Sequence, residues 1–306
     1  MGNLDGLLVI NKPAGPTSHD VVARARRLLR ERRIGHTGTL DPMATGVLPL
    51  VVGRAARLAR FLSAGDKSYE AVIRLGFATD TGDATGTPIA TASVGPLPPR
   101  AAIEAALDGF RGSFLQQPPV FSAKKVGGRR SYALARAVTS VASAADVRPA
   151  PVAVTVHRLD VLGVDGDALS ISLDCAAGFY VRALAHDLGQ RLGVGAHLAA
   201  LRRTRCGDYT LDDAVELDAA ERDPAGAAAQ VVPLSSLLPR MPVVSLTPAG
   251  VEGARHGRDL GPRDMTPDAQ VPNPESFVRL FNPGGDLVAI AEPARGGLLH
   301  PFVVLM

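Results

Sequence analysis

The chain has no tryptophan, four tyrosines, two cysteines, and four lysines among its 33 basic residues. Cys175 and Cys206 stand far apart without Cys-x-x-Cys spacing, which excludes a disulfide framework and a zinc site and fits a reducing cytoplasm. The seven histidines are scattered with no paired metal-ligand spacing, so no metal cofactor is expected. The longest apolar run, Val47 to Val52, is far shorter than the ~18 residues that span a bilayer. Met1 to Pro13 lacks the basic start and small-residue cleavage site of a secretory signal, and Gly6 stands where a myristoylation signal wants Ser or Thr. The expectation is a cytoplasmic chain with no membrane partner.

With 306 residues, 46% of them apolar, the chain can bury a sizeable core and is long enough for two domains. Its net charge of +3 hides an asymmetry. Residues 1–140 carry 19 Lys/Arg against 10 Asp/Glu, whereas residues 141–306 carry 14 against 20. A basic half is what a polyanion-binding face requires, since phosphate neutralisation supplies most non-specific nucleic-acid affinity. An arginine-rich composition, 29 of the 33 basic residues, accounts for the same numbers without any partner.

Along the chain, Gly6 to Asn11 reads as a buried strand closed by the turn Lys12-Pro13-Ala14-Gly15-Pro16. Thr17 and Asp20 have capping-box spacing, and Val21, Ala25, Leu28 and Leu29 then recur at helical intervals among five arginines from Arg24 to Arg32. Gly35 to Pro42 reads as a loop and Val47 to Val52 as a second buried strand. Ser68 to Leu75 alternates, placing Tyr69, Ala71, Ile73 and Leu75 on one face. Ile103, Ala106, Leu107 and Phe110 mark an amphipathic helix, and residues 118–149 an exposed basic excursion bearing Lys124, Lys125, Arg129 and Arg130. Leu169 to Cys175 alternates as a strand, and Val181, Leu184, Leu188 and Leu192 mark a helix whose first turn holds Tyr180 and Arg182. Leu238 to Pro242 reads as a linker. A short helix from Thr247-Pro248 and strands over 277–281, 287–291 and 300–305 then make a small, mostly β unit.

Asp41 is the leading candidate for chemistry: Gly38-Thr39-Leu40 precede it and Pro42 locks it, in a loop where backbone can approach a ligand closely. A turn aspartate bonding its own backbone fits the same residues. Arg182 can pair with such a carboxylate and orient it as a nucleophile, or it can be a solvated helix residue. Tyr69 and Tyr180 are two of just four tyrosines in a chain without tryptophan, and core packing is the commoner fate of a strand or helix tyrosine.

Several blocks together resemble the bacterial tRNA pseudouridine synthase B family, in the family's order over roughly residues 5–215. They are Leu8 to Asp20, Ile34 to Leu48 with its Gly-Thr-Leu-Asp-Pro centre, Lys67 to Ala71, Gln117 to Lys125, Gly178 to Leu184, and Ala196 to Leu198 leading to Leu201-Arg202-Arg203. The resemblance implies isomerisation of uridine 55 in the tRNA T-loop to pseudouridine, with no metal or organic cofactor. It implies that Asp41 is the catalytic aspartate, Tyr69 the tyrosine that stacks on the extruded base, and Arg182 the arginine paired with the aspartate. By the same resemblance Tyr180 is the other active-site tyrosine and Leu201 a pocket leucine. His36 would occupy the space the base vacates, Lys12 would support the catalytic loop, and residues 118–149 would form a thumb gripping the RNA hairpin.

The expected fold is α/β: a mixed, largely antiparallel sheet flanked by helices over residues 1–238, with a small β-rich unit of PUA type over 239–306. The expected partner is the tRNA T-arm stem-loop, bound by a monomer with no obligate protein partner. Two further readings keep the basic half: an RNA-binding protein that mainly assists tRNA folding, and the catalytic subunit of a guide-RNA particle. The thumb-like segment favours a stand-alone enzyme.

Overall fold

The computed structural model describes residues 4–89, 96–120, 125–126, 129–130, 149–269 and 276–306. The strand β1 (Gly6–Lys12) leads into helix α1 (Ser18–Leu29), which starts where the Thr17 hydroxyl accepts the Asp20 N–H and the Asp20 carboxylate accepts the Thr17 N–H. A short strand β2 (Ile34–His36) then pairs antiparallel with β3 (Thr45–Val52), His36 lying opposite Leu50. The Asp41 loop is therefore a hairpin connection that begins at Thr37, later than the Gly35 read from the sequence. Three residues are too few to show a period of two.

After α2 (Ala59–Ser63) come β4 (Lys67–Leu75), α3 (Arg100–Asp108) and β5 (Gly112–Gln116). Phe110 lies beyond the end of α3 yet is buried. Of the basic excursion over 118–149, the structure describes residues 118–120 and 149 at its ends and a ribbon of β6 (Lys125–Val126) and β7 (Arg129–Arg130). The expected roles of Lys124 and of the Lys125, Arg129 and Arg130 side chains lie outside the described residues. Next come β8 (Val152–Asp165), β9 (Ala168–Cys175), α4 (Val181–Leu192) and β10 (Ala196–Cys206). Tyr180 is the residue just before α4 rather than part of its first turn. Then follow β11 (Tyr209–Thr210), β12 (Val215–Glu216), α5 (Leu217–Arg222), α6 (Pro224–Ala229) and β13 (Val232–Pro233).

The main sheet runs β12-β1-β3-β10-β4-β9-β8-β5. Its pairs β1–β12 and β3–β10 are parallel and the others antiparallel, so the sheet is mixed and largely antiparallel. Leu8, Ile10, Leu48 and Leu50 face a core shared with α1 and α4, while Leu7, Val9, Val47 and Val51 face a second core on the opposite side. Burial on both faces is why β1 and β3 read as unbroken apolar runs.

A second sheet, β14-β15-β16-β17, comprises β14 (Val243–Ser245), β15 (Val278–Phe281), β16 (Leu287–Pro293) and β17 (Leu299–Val304). Helix α7 (Pro248–Arg255) accompanies it, the Thr247 hydroxyl accepting the Gly250 N–H at 3.1 Å. Leu287, Ile290 and Leu305 of this unit enter the second core. Arg54 binds the Leu305 carbonyl, and the Arg60 guanidinium lies over the rings of Phe61, Phe277 and Phe302. The C-terminal sheet thus supplies part of the layer that covers the back of the main sheet. Among the described residues no helix is long and apolar enough to cross a membrane.

Candidate active site

The loop 37–44 has few backbone partners of its own, so side chains from distant elements must satisfy its carbonyls. Arg203 on β10 donates to Gly38 O at 3.1 Å and to Val47 O at 2.7 Å. Ser18, the first residue of α1, donates to Leu40 O at 3.0 Å and accepts the Leu40 N–H at 2.9 Å. Lys12, at the end of β1, donates to Pro13 O, Pro42 O and Ala44 O at 2.9, 3.1 and 2.7 Å. Every second loop carbonyl from 38 to 44 is held in this way by a buried side chain. At Gly46 the backbone has φ +100 and lies so close to Arg203 that a Cβ would stand 2.2 Å from its carbonyl oxygen. Glycine there lets β3 meet β10 and brings Arg203 under the loop.

Asp41 at the loop's apex faces Arg182 of α4. Nε donates to Oδ2 at 2.9 Å and Nη2 to Oδ1 at 3.1 Å, a two-pronged pair. Nη1 donates to Thr81 O at 2.9 Å, and Nε lies 3.8 Å from Oδ2 of Asp83. The Arg182 and Asp83 side chains are 6% and 7% exposed, whereas that of Asp41 is 30% exposed. One carboxylate therefore opens outward and the other is enclosed. Asp83 Oδ1 accepts the hydroxyls of Thr81 and Thr85 at 2.8 and 2.6 Å and the Thr85 N–H at 3.0 Å.

Burial pushes the Lys12 pKa down to about 8; the Asp41 carboxylate opposes that shift and the Arg203 charge adds to it. Tyr69 lies on β4 opposite Arg203, whose guanidinium is within hydrogen-bonding reach, and burial pushes its phenol up to about 12. A phenol held that high is protonated and uncharged at neutral pH. Gln116 clamps the residue before α4: its amide donates to Tyr180 O at 3.0 Å and accepts the Tyr180 N–H at 2.9 Å. His36 ends β2 with its ring edge-on to His19, centroids 5.2 Å apart. Leu201 on β10 lines a cavity of about 580 Å³ together with Ala14, Met43, Thr45 and Thr85. Asp41, Tyr69 and Arg182 do not line that cavity, so the shape of the surface does not by itself locate the chemistry.

The geometry pairs Asp41 with Arg182, sets Lys12 and Arg203 under the same loop through its carbonyls, places Tyr69 opposite Arg203, and puts His36 on the same hairpin. Four residues that hold the loop or its surroundings carry no assignment from the sequence: Ser18, Asp83, Gln116 and Arg203. Arg203 occupies the buried phase of the alternation with Leu201, a signal that was available. Gln116 reaches Tyr180 across 64 positions and leaves no local trace, whereas Asp83 sits between Thr81 and Thr85, whose hydroxyls bond it locally, and only its approach to Arg182 is long-range. Among the described residues no three His, Cys, Asp or Glu side chains gather as a metal-binding group.

Residues 26–181 match the TruB family pseudouridylate synthase N-terminal domain, and residues 182–234 the tRNA pseudouridylate synthase B C-terminal domain. A relative from Solibacter usitatus named tRNA pseudouridine synthase B is 42% identical over 99% of this chain and 100% of its own length. One of that name from Mycobacterium sp. (strain KMS) is 45% identical over 94% of this chain and 92% of its own. Among solved structures, a chain of the archaeal box H/ACA sRNP Nop10-Cbf5 complex shares the fold, with TM-score 0.73 and 24% identity over 99% of this chain and 86% of that one. On the matched domains and the identity over nearly the whole length, this chain belongs to the TruB family of pseudouridylate synthases.

Proposed function

We propose that this chain isomerises uridine 55 in the T-loop of tRNA to pseudouridine, acting without a guide RNA. The observation that carries the reading is Asp41: an outward-facing carboxylate whose two oxygens are aligned by one guanidinium, on a loop whose carbonyls are held by buried side chains. A positioned carboxylate of this kind is a nucleophile or an electrostatic support for glycosidic cleavage. The uridine is flipped out of the RNA stack, at a cost of about a few kcal/mol, and stacking on Tyr69 returns ~1–3 kcal/mol. The N1–C1′ bond breaks, the uracil turns, and a C5–C1′ bond forms; C5 loses its proton and N1 carries one, so no atoms are gained or lost. No water is activated, and one carboxylate suffices where a hydrolytic glycosidase uses two.

In this reading Arg182 orients Asp41, Lys12 holds the loop beneath it, and Tyr180 and Leu201 shape the pocket. His36 fills the space left by the base. Lys124, Lys125, Arg129 and Arg130 on the 118–149 thumb grip RNA phosphates. Residues 1–238 form the catalytic domain and 239–306 a PUA-like RNA-binding domain of a cytoplasmic monomer. Whole-length relatives named tRNA pseudouridine synthase B support the stand-alone form over the guide-RNA particle.

The test incubates the purified chain alone with an unmodified T-arm hairpin and maps pseudouridine by chemical sequencing. Conversion is expected at one uridine, and Asp41→Asn is expected to lower it by at least about 10³-fold while keeping RNA affinity within a few-fold. No conversion by the unmutated chain overturns the reading.

A further inference from the structure

We propose that Arg27, Arg30 and Arg32, on the solvent edge of α1 and the turn after it, form a second phosphate-binding surface for the substrate RNA, away from the uridine that reaches Asp41. This rests on the isomerase reading and extends it to a part of the RNA that the catalytic loop does not touch.

The other arginines of this stretch are occupied. Arg24 binds Glu221 at 2.6 and 2.5 Å and Asp218 at 2.9 Å, Arg26 donates to Ile34 O at 2.7 Å, and Arg33 pairs with Glu31 at 3.4 Å. Among the described residues, the side chains of Arg27, Arg30 and Arg32 are exposed and in no ion pair. Glu221, the acid that also feels Arg27, is held by two nitrogens of Arg24, and Glu31 is held by Arg33. The three positive charges are therefore not neutralised within this stretch.

Arg30 carries the second observation. It caps α1 in the left-handed conformation, φ 52 and ψ 33, which glycine adopts without strain and an arginine does not. The helix would end equally well with glycine, so nothing in the cap itself calls for an arginine.

Helix α1 also links this surface to the Asp41 loop. Ser18 at the start of α1 is bonded to both backbone groups of Leu40, the neighbour of Asp41. The helix has 12 residues, which at ~1.5 Å each sets Arg30 about 18 Å from that junction on one rigid element. The phosphate backbone of a folded RNA held at Asp41 has the length and charge to reach guanidinium groups at that distance.

The test is binding of unmodified full-length tRNA between about 50 and 200 mM salt by the unmutated chain, by Arg30→Gly and by the triple variant Arg27→Ala, Arg30→Gly, Arg32→Ala. The triple variant is expected to bind at least about tenfold more weakly at low salt, with the slope of log affinity against log salt shallower by ~0.7 to 0.9 per lost phosphate contact. Arg30→Gly alone is expected to lose affinity a few-fold while its melting temperature holds or rises, which separates a lost contact from a damaged helix. Parental affinity and slope in both variants overturn the proposal. Failure of the isomerase reading shows separately, as tRNA binding without pseudouridine formation by the unmutated chain.

Discussion

Arg182 and Arg279 are both nearly buried, yet the atoms around them differ. Arg182 meets two carboxylates and one carbonyl, and one of those carboxylates opens to solvent. Arg279 on β15 donates to the carbonyls of Met241, Leu237, Pro239 and Ser235 at 3.0, 3.2, 3.3 and 3.5 Å, gathering the segment between the two sheets. Burial holds its pKa below the ordinary arginine value, and no carboxylate pairs with it among the described residues. Arg203 resembles Arg279 in bonding carbonyls, though it lies beneath the Asp41 loop. The acceptors, then, separate the two arginines: around Arg279 they are uncharged backbone carbonyls tied up in holding the segment, whereas at Arg182 one is an oriented, half-open carboxylate with a charge to offer a reaction.

The sharpest break of this comparison is at Arg182. Arg182→Ala is expected to lower single-turnover conversion by at least about 10²-fold, with Arg182→Lys intermediate, because lysine keeps the charge and loses the two-pronged geometry. Arg182→Ala combined with Asp41→Asn is expected to be no worse than Asp41→Asn alone, since members of one unit are not additive. Parental rates in Arg182→Ala would show that the pair does not act in the reaction. The same substitution leaves Asp83 buried without its guanidinium and is expected to destabilise the fold by about 3 kcal/mol or more, read by denaturant unfolding.

Arg279→Ala should act on stability alone. Orphaning four carbonyls is expected to cost about 3 kcal/mol in unfolding free energy, with the conversion rate per folded molecule unchanged. A changed rate would mean that the C-terminal sheet acts in catalysis as well as in packing.

The smallest expected effect is that of pH. Lys12 has a folded pKa of about 8, below its ordinary 10.5, so between those values the folded chain binds fewer protons than the unfolded one. Its contribution to stability accordingly rises with pH across that window. Activity should move the other way: the ammonium supplies three donors to three carbonyls, and the neutral amine supplies two. Conversion is expected to fall several-fold with a midpoint near pH 8, and a flat profile to pH 10 would detach Lys12 from the loop's function.

Elements with uninterrupted local signals were legible in the sequence. The capping box of Thr17 and Asp20 starts α1, the alternation from Tyr69 to Leu75 lies in β4, and Thr247 caps α7. The long strands β8 and β10 were not legible as whole elements, because register shifts at Val156/Arg158 and Val161/Gly163 in one and at Leu198/Ala200 and Arg203/Arg205 in the other leave only short runs of alternation, such as Leu201 to Arg203. β14 has three residues, and it directly follows the residues read as a linker.

The same division holds for the site. Chain-local chemistry marked the loop of Asp41, through its glycines and proline, and the resemblance of the surrounding blocks named Arg182 as its partner. Which carboxylate Arg182 orients, which it leaves enclosed, and how Lys12, Ser18 and Arg203 share the loop's carbonyls depended on contacts between residues as far as 141 to 165 positions apart. Periodicity, caps and turns act over a few residues and are written in order along the chain; a bond across the sheet depends on how the strands are arranged in space, which only the folded arrangement decides.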